Sequence, residues 1–301
     1  MAARTNGPID LSTIVAIDIH THVHGSVCAD TDSERLRAMG EYFGARDTAT
    51  NVHEMAAYYR ERNMLAVIFP VDTYTVSGDD PLPSNEEVGE LAAEHPETVI
   101  PFASVDPGRG KAGVKMLHRL VAEYGMRGLK LHPSAQEFYP NDRRVYPLYA
   151  AAEELGIPVL IHTGHTGVGA GEPGGGGVRL KYSNPMLVDD VAVDFPQLSI
   201  ILAHPSFPWQ DEALSVARHK PLVYIDLSGW SPKYFPESLV QHANSVLQDK
   251  VLFGSDYPLI TPDRWLADFA KLDMKPAVVP KILKDNAVRL LGLAPEATSA
   301  S

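Results

Sequence analysis

The feature that most constrains this chain is the recurrence of short, continuously apolar runs with helical segments between them. Eight stand in order: VAIDIHTH (15–22), LAVIFP (65–70), VIPFASVDP (99–107), RGLKLHP (127–133), IPVLIHTG (157–164), LSIILAHP (198–205), VYIDLSG (223–229) and VLFGSDYP (251–258). They are too short for amphipathic helices and apolar on both sides, the pattern of strands buried on both faces of a parallel sheet. The intervening segments carry helix signals. Ser84 and Glu87 have capping-box spacing ahead of a helix over 86–94. The stretch 145–155 is rich in alanine and glutamate and is stopped by Gly156, with Pro158 just beyond. Asn184-Pro185 opens a further helix, and 278–291 supplies a closing amphipathic one, with Pro280 in its first turn and Gly292 as its stop.

Eight strands alternating with helices predict a closed (β/α)8 TIM barrel. An open doubly wound sheet usually has fewer strands and a glycine-rich fingerprint after the first, and none follows residues 15–22. A length of 301 residues suits one such barrel. The expectation is therefore a single domain over 1–301 with its core at about 15–292. The stretch GVGAGEPGGGG (167–177) reads as a mobile loop rather than a linker, because regular structure resumes in phase on both sides.

Composition removes several partners. A formal net charge of −12 argues against a nucleic acid or an anionic membrane, although local Arg and Lys leave an anionic small molecule open. Cys28 is the lone cysteine, which excludes an intrachain disulfide framework and fits a reducing compartment. No apolar run reaches the roughly 18 residues of a membrane span. The N-terminal stretch MAARTNGPIDLSTIVAID lacks the basic start and apolar core of a signal peptide, so a cytoplasmic location is expected.

In such a barrel the catalytic groups stand at the C-terminal ends of the strands. His20 and His22 close the first run, and their i, i+2 spacing puts both imidazoles on one side of a strand. His162 closes the fifth run, His204 the sixth and Asp256 the eighth. One histidine at a strand end is more often a hydrogen-bonded structural residue than a ligand. The joint pattern predicts a divalent ion held by His20, His22, His162 and Asp256. Neutral imidazole with carboxylate suits zinc, with manganese the alternative, and leaves a position for water. Such an ion lowers the water pKa to about 7. Asp256 would bind the metal, take the water's proton, or do both in turn.

The motifs IDIHTH (17–22), LIHTG (160–164), LAHPS (202–206) and FGSDYP (253–258) resemble the amidohydrolase superfamily. Within it the similarity is greatest to the amidohydrolase-related branch that includes the aminocarboxymuconate semialdehyde decarboxylase group. The resemblance covers nearly the whole chain, with the four motifs in order. It implies His20 and His22 as strand-one ligands, His162 as the strand-five ligand, and Asp256 as the strand-eight aspartate that binds metal and handles protons. It implies that His204 is a second-metal ligand or polarises the substrate. In two-metal members a strand-four lysine is carboxylated and bridges the ions, and Lys130 in GLKLHP holds that place. The branch resembled is usually mononuclear, so one ion is expected, with Lys130 an inward cation facing a barrel carboxylate or the substrate. A homodimer is implied by the resemblance alone.

Further substrate contacts are expected from His132, at the end of the fourth run, and from His165 and His24, just past strand ends. Arg179 and Lys181 follow the glycine-rich stretch and are placed to clamp a substrate carboxylate. Trp209, Trp230 and Tyr257 follow strands six, seven and eight as a candidate aromatic wall. Against these stand plainer readings: exposed loop histidines, a solvated loop, and helix–barrel packing. No partner histidine marks Cys28 as a nucleophile.

Two reactions use this set of residues. In hydrolysis, activated water attacks an amide, lactone or ester carbonyl of a small aromatic or carboxylated molecule, and Asp256 passes the proton to the leaving group. In non-oxidative decarboxylation, a hydroxybenzoate or muconate-type acid is protonated at carbon and loses CO₂. Lys130 and His132 tip the expectation towards hydrolysis, because they give the barrel floor more polar groups than a decarboxylase requires. A non-catalytic barrel holding a metal or ligand is the third reading, and it would leave Asp256 and His204 without a role.

Overall fold

A computed structural model describes residues 9–31, 34–45 and 48–293. Residues 1–8 of the N-terminal stretch lie outside the described residues. The eight apolar runs supply eight parallel strands: β1 (Ala16–His22), β2 (Met64–Phe69), β3 (Val99–Pro101, resuming at Ala103–Ser104), β4 (Leu129–Leu131), β5 (Val159–His162), β6 (Ile200–Ala203), β7 (Val223–Asp226) and β8 (Val251–Leu252). Each pairs with the next in parallel register. The interruption in β3 follows from Pro101, which has no N–H to donate to the ladder. Phe102 N still donates to Ile68 O at 2.9 Å, and Ala103 N to Gly128 O at 2.8 Å, so the wall is continuous there.

The barrel closes between β8 and β1. Ile19 N donates to Phe253 O at 3.0 Å, Asp256 N to His20 O at 3.0 Å, and His22 N to Tyr257 O at 2.8 Å. The run 251–258 therefore yields only two ladder residues, and the rest lies along β1 through separate bonds.

Helices occupy the connections: α1 (Glu34–Phe43), α2 (Val52–Arg60), α3 (Tyr74–Ser77), α4 (Asn85–Ala92), α5 (Gly110–Tyr124), α6 (Pro133–Gln136), α7 (Tyr146–Glu154), α8 (Met186–Asp194), α9 (Gln210–His219), α10 (Glu237–Ala243), α11 (Pro262–Phe269) and α12 (Asn286–Leu290). None is long and apolar enough to cross a membrane. Strand alternation divides the core in two. In β2, Leu65, Val67 and Phe69 join the cluster inside the barrel, while Met64, Ala66 and Ile68 join the one beneath the helices.

β1 shows how the site is aimed. Ile17 and Ile19 belong to the inner cluster, so simple alternation would turn His20 and His22 outwards. The register against β2 shifts between Asp18 and Thr21, and this bulge changes the face. Beyond it Thr21 pairs with Ile68, and both histidine rings lie edge-on to the inward Phe69.

Two helix expectations need correction. Ser84 does cap α4, accepting from Glu87 N at 3.1 Å. The reciprocal half of the box does not form, because the Glu87 carboxylate instead receives Ser26 Oγ at 2.9 Å and Val27 N at 2.7 Å. The segment 278–291 is not one regular helix: a π turn, Lys281–Asp285, precedes α12. There the Ile282 carbonyl accepts from Phe253 N at 2.9 Å, so the helix opens where it serves the end of β8.

Candidate metal centre

At the C-terminal mouth, His20, His22 and Asp256 offer three ligand atoms within 4.8 Å of one another. His20 Nε2 lies 3.2 Å from His22 Nε2 and 3.4 Å from Asp256 Oδ1, and His22 Nε2 lies 3.1 Å from the same oxygen. His20, His204 and Asp226 form a second such group. Asp226 was not among the residues expected from sequence. It ends β7 as the one acid in VYID, buried, and its Oδ2 lies 2.9 Å from His20 Nδ1.

The polar network sets which nitrogens carry protons. His20 Nδ1 can only donate to the Asp226 carboxylate, which leaves Nε2 as a lone pair facing Asp256, His22 and the Lys130 amine. Ser228 Oγ donates to Asp226 Oδ1, so it accepts from His204 Nδ1 at 2.8 Å. His204 Nε2 then accepts from His162 Nδ1 at 3.0 Å, and His162 Nε2 is left as a lone pair. That nitrogen and Asp256 Oδ1 are both buried and, among the described residues, lack a hydrogen-bond donor. Two unsatisfied electron-pair donors beside the His20–His22 pair fit a cation. His162 thus stands one step from the tight cluster, with its free nitrogen available to complete the set.

Burial dominates the electrostatics. It pushes His20, His22, His132 and His162 well below the ordinary imidazole range, with the Lys130 ammonium adding to the effect, and neutral imidazole is the ligating form. His24 is lowered to about 3, also mainly by burial. The Asp256 carboxyl is raised, again by burial. Backbone strain collects at the same place, with positive φ at His204 (69°), Ser206 (65°) and Asp256 (74°). Gly229, at φ 72°, has no room for a side chain, since a Cβ would fall 2.5 Å from His204 Nδ1.

Asp18 is a second residue missed from sequence. Its Oδ1 accepts from Ser255 N at 2.9 Å and its Oδ2 from Tyr59 OH at 2.7 Å, which ties α2 and the β8 loop to β1 beside Asp256. Burial raises this carboxyl to about 7. The signal for both was an acid inside an otherwise apolar run.

A cavity of about 650 Å³ opens above the cluster, with His22, His24, His132, His162, His204 and Asp256 among its lining. Its upper wall includes Met39, Tyr42, Phe43, Val168, Trp230 and Tyr234, and its rim includes Arg264. His132 stacks on His162 with ring centroids 3.9 Å apart. His165 lines the cavity and meets Tyr42 OH at 3.3 Å. The glycine-rich stretch adds Gly167, Gly176 and Gly177 to the wall.

Several expected contacts lie elsewhere. Lys130 is buried, with Nζ 3.1 Å from His20 Nε2 and 4.7 Å from the Phe69 ring centroid, and it does not reach the cavity wall. Burial lowers its amine to about 7. Arg179 is turned to Glu137 at 2.8 Å, an exposed pair, because that carboxylate is its nearest charge partner. Lys181 sits over the rings of Tyr139 and Tyr182. Of the three aromatic candidates only Trp230 lines the cavity. Tyr257 packs against Tyr58 and Tyr59, and Trp209 precedes α9. Cys28 is exposed and not part of the site.

The comparisons with known proteins agree on the architecture. An uncharacterized TIM-barrel protein of Bordetella bronchiseptica superposes with a TM-score of 0.73 at 26% identity, over 92% of this chain and 98% of that one. A dihydroxybenzoic acid decarboxylase of Polaromonas, solved with bound manganese and 2-nitroresorcinol, gives 0.65 at 16% identity, over 93% and 97%. A 2-amino-3-carboxymuconate-6-semialdehyde decarboxylase of Dictyostelium discoideum is 22% identical in an alignment of 251 residues that covers 70% of this chain and 66% of that relative's length. The profile described as amidohydrolase matches residues 17–293, from the strand-one histidines through the strand-eight aspartate to the last described residue, and the chain belongs to the amidohydrolase family.

Proposed function

We propose that the protein is a metal-dependent non-oxidative decarboxylase acting on a small aromatic or muconate-type acid. The observation that carries this reading is the 251-residue match to a decarboxylase, reached by a chain whose cavity floor holds a histidine–aspartate cluster. The sequence pointed first to hydrolysis, on the strength of Lys130 and His132. That argument weakens once Lys130 is seen packed beneath His20 and away from the cavity wall.

A divalent ion held by His20, His22, His162 and Asp256 would supply positive charge for the substrate carboxylate and an adjacent oxygen. Sequence put zinc first; the manganese of the Polaromonas relative makes manganese the first ion to test. Asp256, on the cavity floor beside His22, delivers a proton to the carbon bearing the carboxylate. The carbon–carboxylate bond breaks, its electron pair forms the new C–H bond, and CO₂ leaves. His204, fixed by Ser228 and His162, walls the pocket beside the substrate, and Trp230 with Phe43 flanks the ring.

The test is to incubate manganese- or zinc-loaded protein with 2,6-dihydroxybenzoate and 4-hydroxyisophthalate, and in parallel with aryl lactones and esters. CO₂ release and acid production are followed together. The expected result is CO₂ from an acid, reduced at least about 1000-fold in His22→Ala and Asp256→Asn. Acid from a lactone or ester with no CO₂ from any acid would return hydrolysis to first place.

A further inference from the structure

We propose that Arg264 is the specificity-determining residue of the cavity rim, and that the natural substrate carries a second anionic group, remote from its reacting carboxylate, which this guanidinium receives. The inference rests on reading the cavity as the pocket for an acid bound at the histidine–aspartate cluster.

Among the described residues, Arg264 is the one lysine or arginine in the cavity lining. Its guanidinium is exposed and, among the described residues, has no acidic partner. The nearest acid in sequence, Asp263, is taken on another side of the helix, receiving Arg62 at 2.8 Å and Tyr58 OH at 2.9 Å. Glu137, the other carboxylate in the lining besides Asp256, is neutralised by Arg179 at 2.8 Å. Among the described residues the rim cation is thus left without an acidic partner, in a chain of net charge −12.

Helix energetics do not account for the residue. Thr261 caps α11 and accepts from Arg264 N at 3.3 Å, which puts Arg264 in the first turn. There the helix dipole favours an acid and disfavours a cation by roughly 0.3–1 kcal/mol. A cation kept in an unfavourable position, without an acidic partner among the described residues, and set in a cavity lining that also includes the apolar Val76, Leu82, Leu259 and Ile260 has an anion as its natural complement. Long-range repulsion from a chain of this charge makes a local cation the more necessary for such a ligand.

The probes are unreactive acids, so binding is read whether or not the protein decarboxylates anything. Affinities of manganese-loaded protein for benzoate, isophthalate and terephthalate are measured by calorimetry. The expected wild-type preference for at least one diacid over benzoate is about tenfold or more, the value of one charge-assisted hydrogen-bonded pair. Arg264→Gln should bring that ratio to within about twofold, while Arg264→Lys keeps part of it. A wild-type ratio near one, or a ratio unchanged in Arg264→Gln, overturns the proposal. Failure of the CO₂ assay would overturn the decarboxylase reading and leave this ratio standing.

Discussion

Asp226 never reaches the cavity, yet it accepts from His20 Nδ1, His204 N, Ser228 N and Ser228 Oγ. It therefore sets the proton on His20 directly and on His204 through a serine. In Asp226→Asn the amide keeps one oxygen and turns an NH₂ towards either His20 Nδ1–H or Ser228, so one of the two contacts becomes donor against donor. The expected result is a metal affinity weaker by about 10–100-fold, read by chelator competition, with the fold retained by circular dichroism. Unchanged affinity would mean that His20 needs no partner to hold its tautomer. The histidines themselves were legible because a polar residue stands out at the end of an apolar run. Asp226 stood out in the same way, but its partner is 206 residues distant, and no local pattern links VYID to IDIHTH. Lys130 was legible only in part. Its inward face was readable, whereas its depth beneath the His20 ring depends on packing that a one-dimensional pattern does not encode.

Among elements, the existence and order of all eight strands followed from buried apolar runs, while their extents and local breaks did not. Pro101 interrupts β3 for a reason visible in sequence, but the bulge in β1 that turns His20 and His22 inwards appears only in the register against β2. The opened turn at Lys281–Asp285 likewise exists because β8 needs a carbonyl there. Gly164 shows how closely the loops above the strands are fitted. It follows β5 at φ 84°, its N donates to Ser183 O at 2.7 Å, and a Cβ would fall 2.6 Å from the Ser206 backbone. Gly164→Ala meets both a disfavoured φ and a backbone clash, and no flexible side chain can move aside. A loss of about 2 kcal/mol or more in urea unfolding is expected, with a larger fractional loss of activity because His162 lies two residues away. Wild-type stability in this variant would show that the β5 and β6 loops separate freely.

The whole molecule gathers its candidate ligands from residue 20 to residue 256, so the candidate site exists only while the barrel is closed. That breadth made the fold and a candidate cation site legible from sequence, since few architectures bring such distant strand ends together. It left the reaction illegible, because hydrolysis and decarboxylation share these ligands and differ in how the substrate is held. It also couples metal to folding. An ion that binds the closed barrel and not the dispersed chain stabilises it by RT ln(1 + [L]/Kd), about 2.7 kcal/mol at a hundredfold excess over Kd. For a chain of this size that corresponds to a rise in Tm of about 5 °C. Scanning calorimetry of chelator-treated protein with and without added manganese measures it, and His22→Ala should lose most of the difference while melting near the metal-free wild type. An equal shift in His22→Ala would place the ion somewhere other than the His20–His22–Asp256 cluster.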